Sequence, residues 1–158
     1  MFEPALVGVW NESPTEQYVV AKLGENAYKV EATDGKTKTT MVAHLVRLDG
    51  VLFLDVEAST AWAELGVPKE AEGTLNDWFL PLHLFLRVNQ VTPSFSISGV
   101  DETWFKEYLK DHPTALAHTF HHSDVVLTGS TEDIQTFFRA HANTPGAFVK
   151  PTVLTRQK

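Results

Sequence analysis

The sequence predicts a mainly β protein with flanking helices (α+β), in which seven or eight strands form an antiparallel barrel or a strongly curved sheet. Three observations predict it. Short runs of alternating apolar and polar residues, separated by Gly-containing turns, fill the first part of the chain. A strongly apolar period-two run occupies Trp78 to Val88, and helix-like apolar stripes appear only after Val100. At 158 residues, 43% of them hydrophobic, residues 1–158 suit a single domain with its own core.

The pattern is clearest around Asp49-Gly50, which sits between two β-branched runs. A type I′ hairpin turn needs positive φ at both central residues, and Asp-Gly supplies that readily. With these as the loop residues, Leu48 faces Val51, Val46 faces Phe53 and His44 faces Asp55. Upstream, a first strand ends at Trp10, and Glu16 to Leu23 and Asn26 to Thr33 flank Gly24-Glu25; Asp34-Gly35 then leads into the Asp49-Gly50 hairpin. Two-residue turns throughout place Val19, Ala21, Tyr28, Val30, Ala32, Thr39, Met41, Ala43, Leu45, Leu54 and Val56 on one apolar, core-facing side. The opposite side starts with Tyr18, Lys22, Lys29 and Glu31, then turns apolar at Val42, Val46, Leu48, Val51 and Phe53. That change predicts a cover over the outer side of the later strands.

Ser59 to Gly73 reads as a connection holding one turn of helix, because Gly66, Pro68 and Gly73 stop anything longer. In the run from Trp78 to Val88, Pro81 marks an edge or a bulge, and Ser94 to Val100 should pair back on that strand. Asp101 caps a helix whose stripe is Trp104, Phe105, Tyr108 and Leu109, ended by Pro113. A further helical turn is expected within Pro113 to His122, then a short strand at Asp124 to Leu127. Ser130 and Asp133 form a capping box for a helix buried through Ile134, Phe137 and Phe138, and Lys150 to Arg156 alternates as a closing strand.

Leu6-Val-Gly-Val-Trp10 and Thr152-Val-Leu-Thr-Arg156 resemble the opening and ending of the lipocalin (calycin) family. The resemblance implies a lipocalin-like barrel in which Trp10 and Arg156 form a structural lock, a cation–π contact worth about 1 kcal/mol at the closed end. The chain is also similar to uncharacterised bacterial proteins of the same length range with the same two ends, a likeness that supplies no mechanism.

Composition narrows the function classes. Twenty acidic against 13 basic residues give a net charge of −7, which disfavours nucleic acid and anionic membrane as partners. With no cysteine, there is no disulfide framework, thiolate metal site or thiol nucleophile. No apolar run approaches the roughly 18 residues of a membrane span, and no basic-apolar leader opens the chain. The expectation is a soluble, cytoplasmic protein, unless an upstream signal peptide was removed. Scattered glycines match no phosphate loop, and no cofactor is expected.

Three constellations remain. His44 opposite Asp55 has the form of a general-base dyad, with a carboxylate orienting an imidazole, yet no nucleophile elbow or oxyanion loop accompanies it. His83, Phe85 and Arg87 share one strand face and would anchor the polar head of an amphiphile if that face lines the barrel. His118, His121 and His122, with Asp124 nearby, would bring 118 and 122 together for a metal if helical, although such residues on a polar connection are more often solvated. The leading reading is a non-enzymatic barrel that binds a small apolar or amphiphilic ligand. The alternatives are an interaction or structural module whose barrel is filled by side chains, with room for a homo-oligomer, and an enzyme using the His44/Asp55 dyad.

Overall fold

The computed structural model describes residues 1–58, 83–121 and 124–157. A 3-10 turn, Pro4–Leu6, leads into β1 (Gly8–Asn11), β2 (Glu16–Leu23), β3 (Ala27–Asp34), β4 (Thr37–Leu48), β5 (Val51–Ala58), β6 (His83–Gln90) and β7 (Phe95–Ser98). Then come α1 (Glu102–Asp111), β8 (His118–His121), β9 (Asp124–Leu127), α2 (Thr131–His141) and β10 (Thr152–Arg156). Strands β1 to β7 run antiparallel in sequence order, and β10 pairs with both β7 and β1, so eight strands close into a barrel. β8 and β9 form a separate two-stranded sheet. The predicted connection at Ser59 to Gly73, residues 78–82 of the predicted strand with Pro81, and His122 lie outside the described residues.

Turn chemistry sets the register. Asp49 and Gly50 have φ of 45° and 86°, the positive values a type I′ turn requires, and the pairs Leu48–Val51, Val46–Phe53 and His44–Asp55 follow. The β2–β3 connection differs from expectation: Leu23 pairs with Ala27, so Gly24, Glu25 and Asn26 make a three-residue loop. One extra loop residue moves a whole strand to its other face. Tyr18 and Val20, rather than Val19 and Ala21, therefore point inward. At β3–β4 the loop is Gly35-Lys36, with Asp34 opposite Thr37. Sliding a two-residue loop along the chain by one position keeps every face, so Tyr28, Val30, Thr39 and Met41 stay inside as expected.

Two apolar cores share one wall. The inner core includes Leu6, Trp10, Tyr28, Ala43, Leu45, Leu54 and Leu154. The outer one joins Leu48 and Phe53 of the sheet to Phe105 and Leu109 of α1, Leu116, and Phe137 and Phe138 of α2. The late strands thus acquire the cover that their apolar outer residues demanded. Phe53, with no exposed surface, stacks on Phe85 at 5.0 Å and meets Phe138 at 6.1 Å.

Both helices start where their caps direct. The Asp101 carboxylate accepts the Trp104 N–H at 2.8 Å, and Ser130 and Asp133 form a reciprocal capping box. Between the helices the structure corrects one expectation: residues 118–121 are strand β8, not a helical turn. The ladder to β9 holds this segment extended, and the Thr128 and Gly129 N–H groups both donate to the Ala117 carbonyl at the base of this hairpin.

Closure is completed at the seam between the chain ends, where Trp10 is paired with Arg156. Trp10 is 1% exposed, and its Nε1–H donates to the Leu6 carbonyl at 2.8 Å. The Arg156 guanidinium lies 5.4 Å from the Trp10 ring centroid and donates from Nη2 to the Val7 carbonyl at 2.5 Å. Gly8 makes room for it: its φ is +148°, and a Cβ there would stand 2.9 Å from Nη2.

Phe53→Ala should cost about 3–5 kcal/mol in denaturant unfolding, because the fully buried ring packs against Phe85, Phe138 and Phe148 in the helix-covered core. Gly8→Ala should cost about 1–3 kcal/mol through backbone strain and displacement of Arg156, seen as a lower midpoint in the same measurement.

Candidate functional site

Alternation along eight strands leaves every second residue facing the lumen, and those residues are small or medium-sized over much of the wall. Ala32, Ala43, Val20, Val30 and Val56 do not meet across the barrel, and a cavity of about 510 Å³ remains. Its wall is completed by Met41, Leu54, Leu84, Leu86, Phe95, Ile97 and Leu154. This is the principal candidate site.

One end is sealed by the N-terminal segment. Leu6 is buried beneath the lumen, Phe2 stacks on Tyr28 at 5.2 Å, and the terminal ammonium donates to the Leu45 carbonyl at 3.1 Å. The Tyr28 phenol oxygen accepts the Glu3 N–H at 2.5 Å, and burial raises the pKa of that phenol. Among the described residues, the cavity opens at the opposite end, where Glu12, Ala32, Thr39, Gly99 and Thr152 line it.

The mouth carries the polar groups. Tyr18 donates its hydroxyl to Glu12 Oε2 at 2.9 Å. Burial first, then the bond to Glu12 and the charges of Glu12, Glu16 and Asp34, push this phenol up to about 12. Glu16 and Asp34 are cross-strand partners one rung beyond Tyr18 and Ala32, on the same inward-facing series of positions. Lys29 and Lys38, in contrast, engage Glu31 on the outer side, at 2.7 and 2.9 Å.

The residues singled out from the sequence lie elsewhere. His83, Phe85 and Arg87 alternate with the lumen-lining Leu84 and Leu86, so they share the outer face of β6. Phe85 belongs to the helix-covered core, 4.6 Å from Phe138. Arg87 lies 5.6 Å from the Phe148 ring centroid and reaches Asn143 Oδ1 at 3.4 Å. A molecule in the lumen meets none of these three side chains.

His44 stands opposite Asp55, but the carboxylate bonds instead to His83 Nδ1 at 2.6 Å, across the next strand pair. Diagonal neighbours on a sheet lie within reach of such side chains. The pair sits on the outer wall with side chains 47% and 31% exposed, outside the cavity. His118 on β8 has its Nδ1 2.8 Å from the Leu116 carbonyl. Among the described residues, no group of three or more His, Asp or Glu side chains is arranged to hold a metal ion.

The inward placement of Tyr18 and Glu16 escaped sequence reasoning, because Tyr18 and Val20 are no less apolar than Val19 and Ala21. Asn26 was the available signal, as a residue that favours turns and lengthens the loop after Gly24-Glu25. No protein-family model, curated protein or solved structure matches the chain. Among the described residues, no helix is long and apolar enough to cross a membrane.

The raised Tyr18 pKa has a definite sign in stability. The folded state holds the proton up to about 12, whereas an unperturbed phenol releases it near 10.0, so the contribution is complete below pH 10 and is lost as pH rises towards 12. Wild type should therefore lose more stability than Tyr18→Phe over that interval, measured as the shift in denaturant midpoint between matched samples.

Proposed function

We propose that the chain is a lipocalin-like binding barrel that holds a small apolar or amphiphilic molecule in its lumen. The observation that carries this reading is the apolar cavity of about 510 Å³, sealed at one end by Leu6, Phe2 and Tyr28. That volume lies in the range of roughly 300–1,000 Å³ usual for small-molecule sites, and a side-chain-filled barrel would leave no such space. Up-and-down strand order and the Trp10–Arg156 contact support the calycin assignment. The chemistry is non-covalent. Removing about 250 Å² of apolar ligand surface from water contributes about 6 kcal/mol before association costs, equivalent to about 40 μM at best, so this contribution alone supports weak binding.

The test uses N-phenyl-1-naphthylamine, a neutral apolar fluorophore, titrated into the protein. Saturable binding at one site per chain is expected. Ala32→Trp, which projects an indole into the lumen, should weaken it by at least about tenfold while circular dichroism stays native, since such sites derive most of their affinity from buried apolar area. Arg87→Ala should leave it unchanged. Absence of saturable binding to wild type, or undiminished binding to Ala32→Trp, rules the reading out.

A further inference from the structure

Resting on the lumen reading above, we infer that the barrel selects amphiphiles with a cationic head, an alkyl or aryl amine, over fatty acids and other anionic amphiphiles.

The argument begins with donors and acceptors. None of the described residues lining the cavity is a Lys, Arg or His, and the charged group among them is the carboxylate of Glu12. Tyr18 spends its single O–H on Glu12 Oε2, so this pair offers an incoming head only acceptors: the phenol oxygen and the remaining carboxylate lone pairs. An ammonium group has three donors and no acceptor, which complements that set. A fatty-acid carboxylate has acceptors alone and, among the described lining side chains at the mouth, finds its donors in the hydroxyls of Thr39 and Thr152, facing a charge of its own sign.

The next rung reinforces this. Glu16 lies directly opposite Asp34 on the inward-facing series of β2 and β3, a like-charge pairing that destabilises a sheet. A cation at the mouth relieves it. The basic residues of β2 to β4 do not compensate: Lys29 and Lys38 engage Glu31 on the outer side, and Lys22 over the Phe2 ring and Arg47 at the Gly50 carbonyl lie toward the sealed end. All three mouth carboxylates act in the same sense on Tyr18, so the potential they produce there is negative. The cavity supplies the place and the hydrophobic contribution, and the carboxylates decide the head group.

The experiment displaces N-phenyl-1-naphthylamine at pH 7.5 with octylamine, 1-octanol and octanoate, which share one tail and differ in the head. Octylamine is expected to bind at least about fivefold more tightly than octanoate, the scale of one partly exposed ion pair, with octanol between them. The gap should shrink in Glu12→Gln and in high salt, where exposed charges are screened. Octanoate binding as tightly as octylamine overturns the inference and leaves the lumen reading standing, as does an amine preference that survives unchanged in the triple variant Glu12→Gln, Glu16→Gln, Asp34→Asn. Octylamine binding undiminished in Ala32→Trp, measured directly by calorimetry, places the amine outside the lumen and also overturns it. If none of the three displaces the fluorophore because it does not bind at all, the lumen reading itself fails and the inference falls with it.

Discussion

The barrel depends on the seam between its first and last strands. An antiparallel sheet of this size with an open side presents two rows of unpaired backbone groups, and closing it removes both edges. Here the closing pair is short: β1 meets β10 at Trp10–Arg156 and Asn11–Thr155. So short a ladder needs help from side chains. Trp10 fills the interior and bonds to the Leu6 carbonyl, tying the N-terminal plug to the sheet. Arg156 covers the ring and bonds to the Val7 carbonyl, tying the final strand to the segment that precedes the first. Gly8 lets the guanidinium approach. One cluster thereby joins the sheet edges, the sealed end of the lumen and the chain termini.

The wall formed by β4, β5 and β6 divides the chemistry as well as the packing. Ala43, Leu45 and Leu54 face the lumen, while Leu48, Phe53 and Phe85 face the helices. The helices bury the outer residues and contribute nothing to the lining of the cavity. The His83–Asp55 contact and Arg87 belong to that outer side. The His83–Asp55 pair is partly exposed, a setting in which an ion pair is typically worth below about 1 kcal/mol. Cavity lining and helix docking are thus carried on opposite faces of the same strands.

How much of this was legible follows from what each turn encodes. Asp49-Gly50 names its own loop residues because few sequences tolerate positive φ twice in succession, and three cross-strand pairs followed from it. The two helices were legible because a cap residue and a 3.6-period stripe are local signals that agree. β8 was not, since His118 to His121 is strand only through its pairing with β9. Nor was the partner of Asp55, because choosing between His44 and His83 depends on how side chains lean across a twisted sheet, which pairing rules leave open.

The candidate site was legible in kind and not in detail, and the cause is the length of one loop. With two residues between β2 and β3, Val19 and Ala21 would line the lumen, Tyr18, Glu16 and Lys22 would face water, and the mouth would lose the Tyr18 phenol and the Glu16 carboxylate. With three residues, Gly24 to Asn26, the parity of β2 reverses. A phenol then enters the lumen beside Glu12, and Glu16 joins Asp34 on the inward-facing series. Apolar content is nearly the same either way, so the hydrophobic effect sets the cavity but is blind to this choice. The inward placement of Tyr18 and Glu16 follows instead from the loop at Gly24, whose φ of +61° begins it. The polarity of the open end is therefore set in part by a turn at the far end of the same strand.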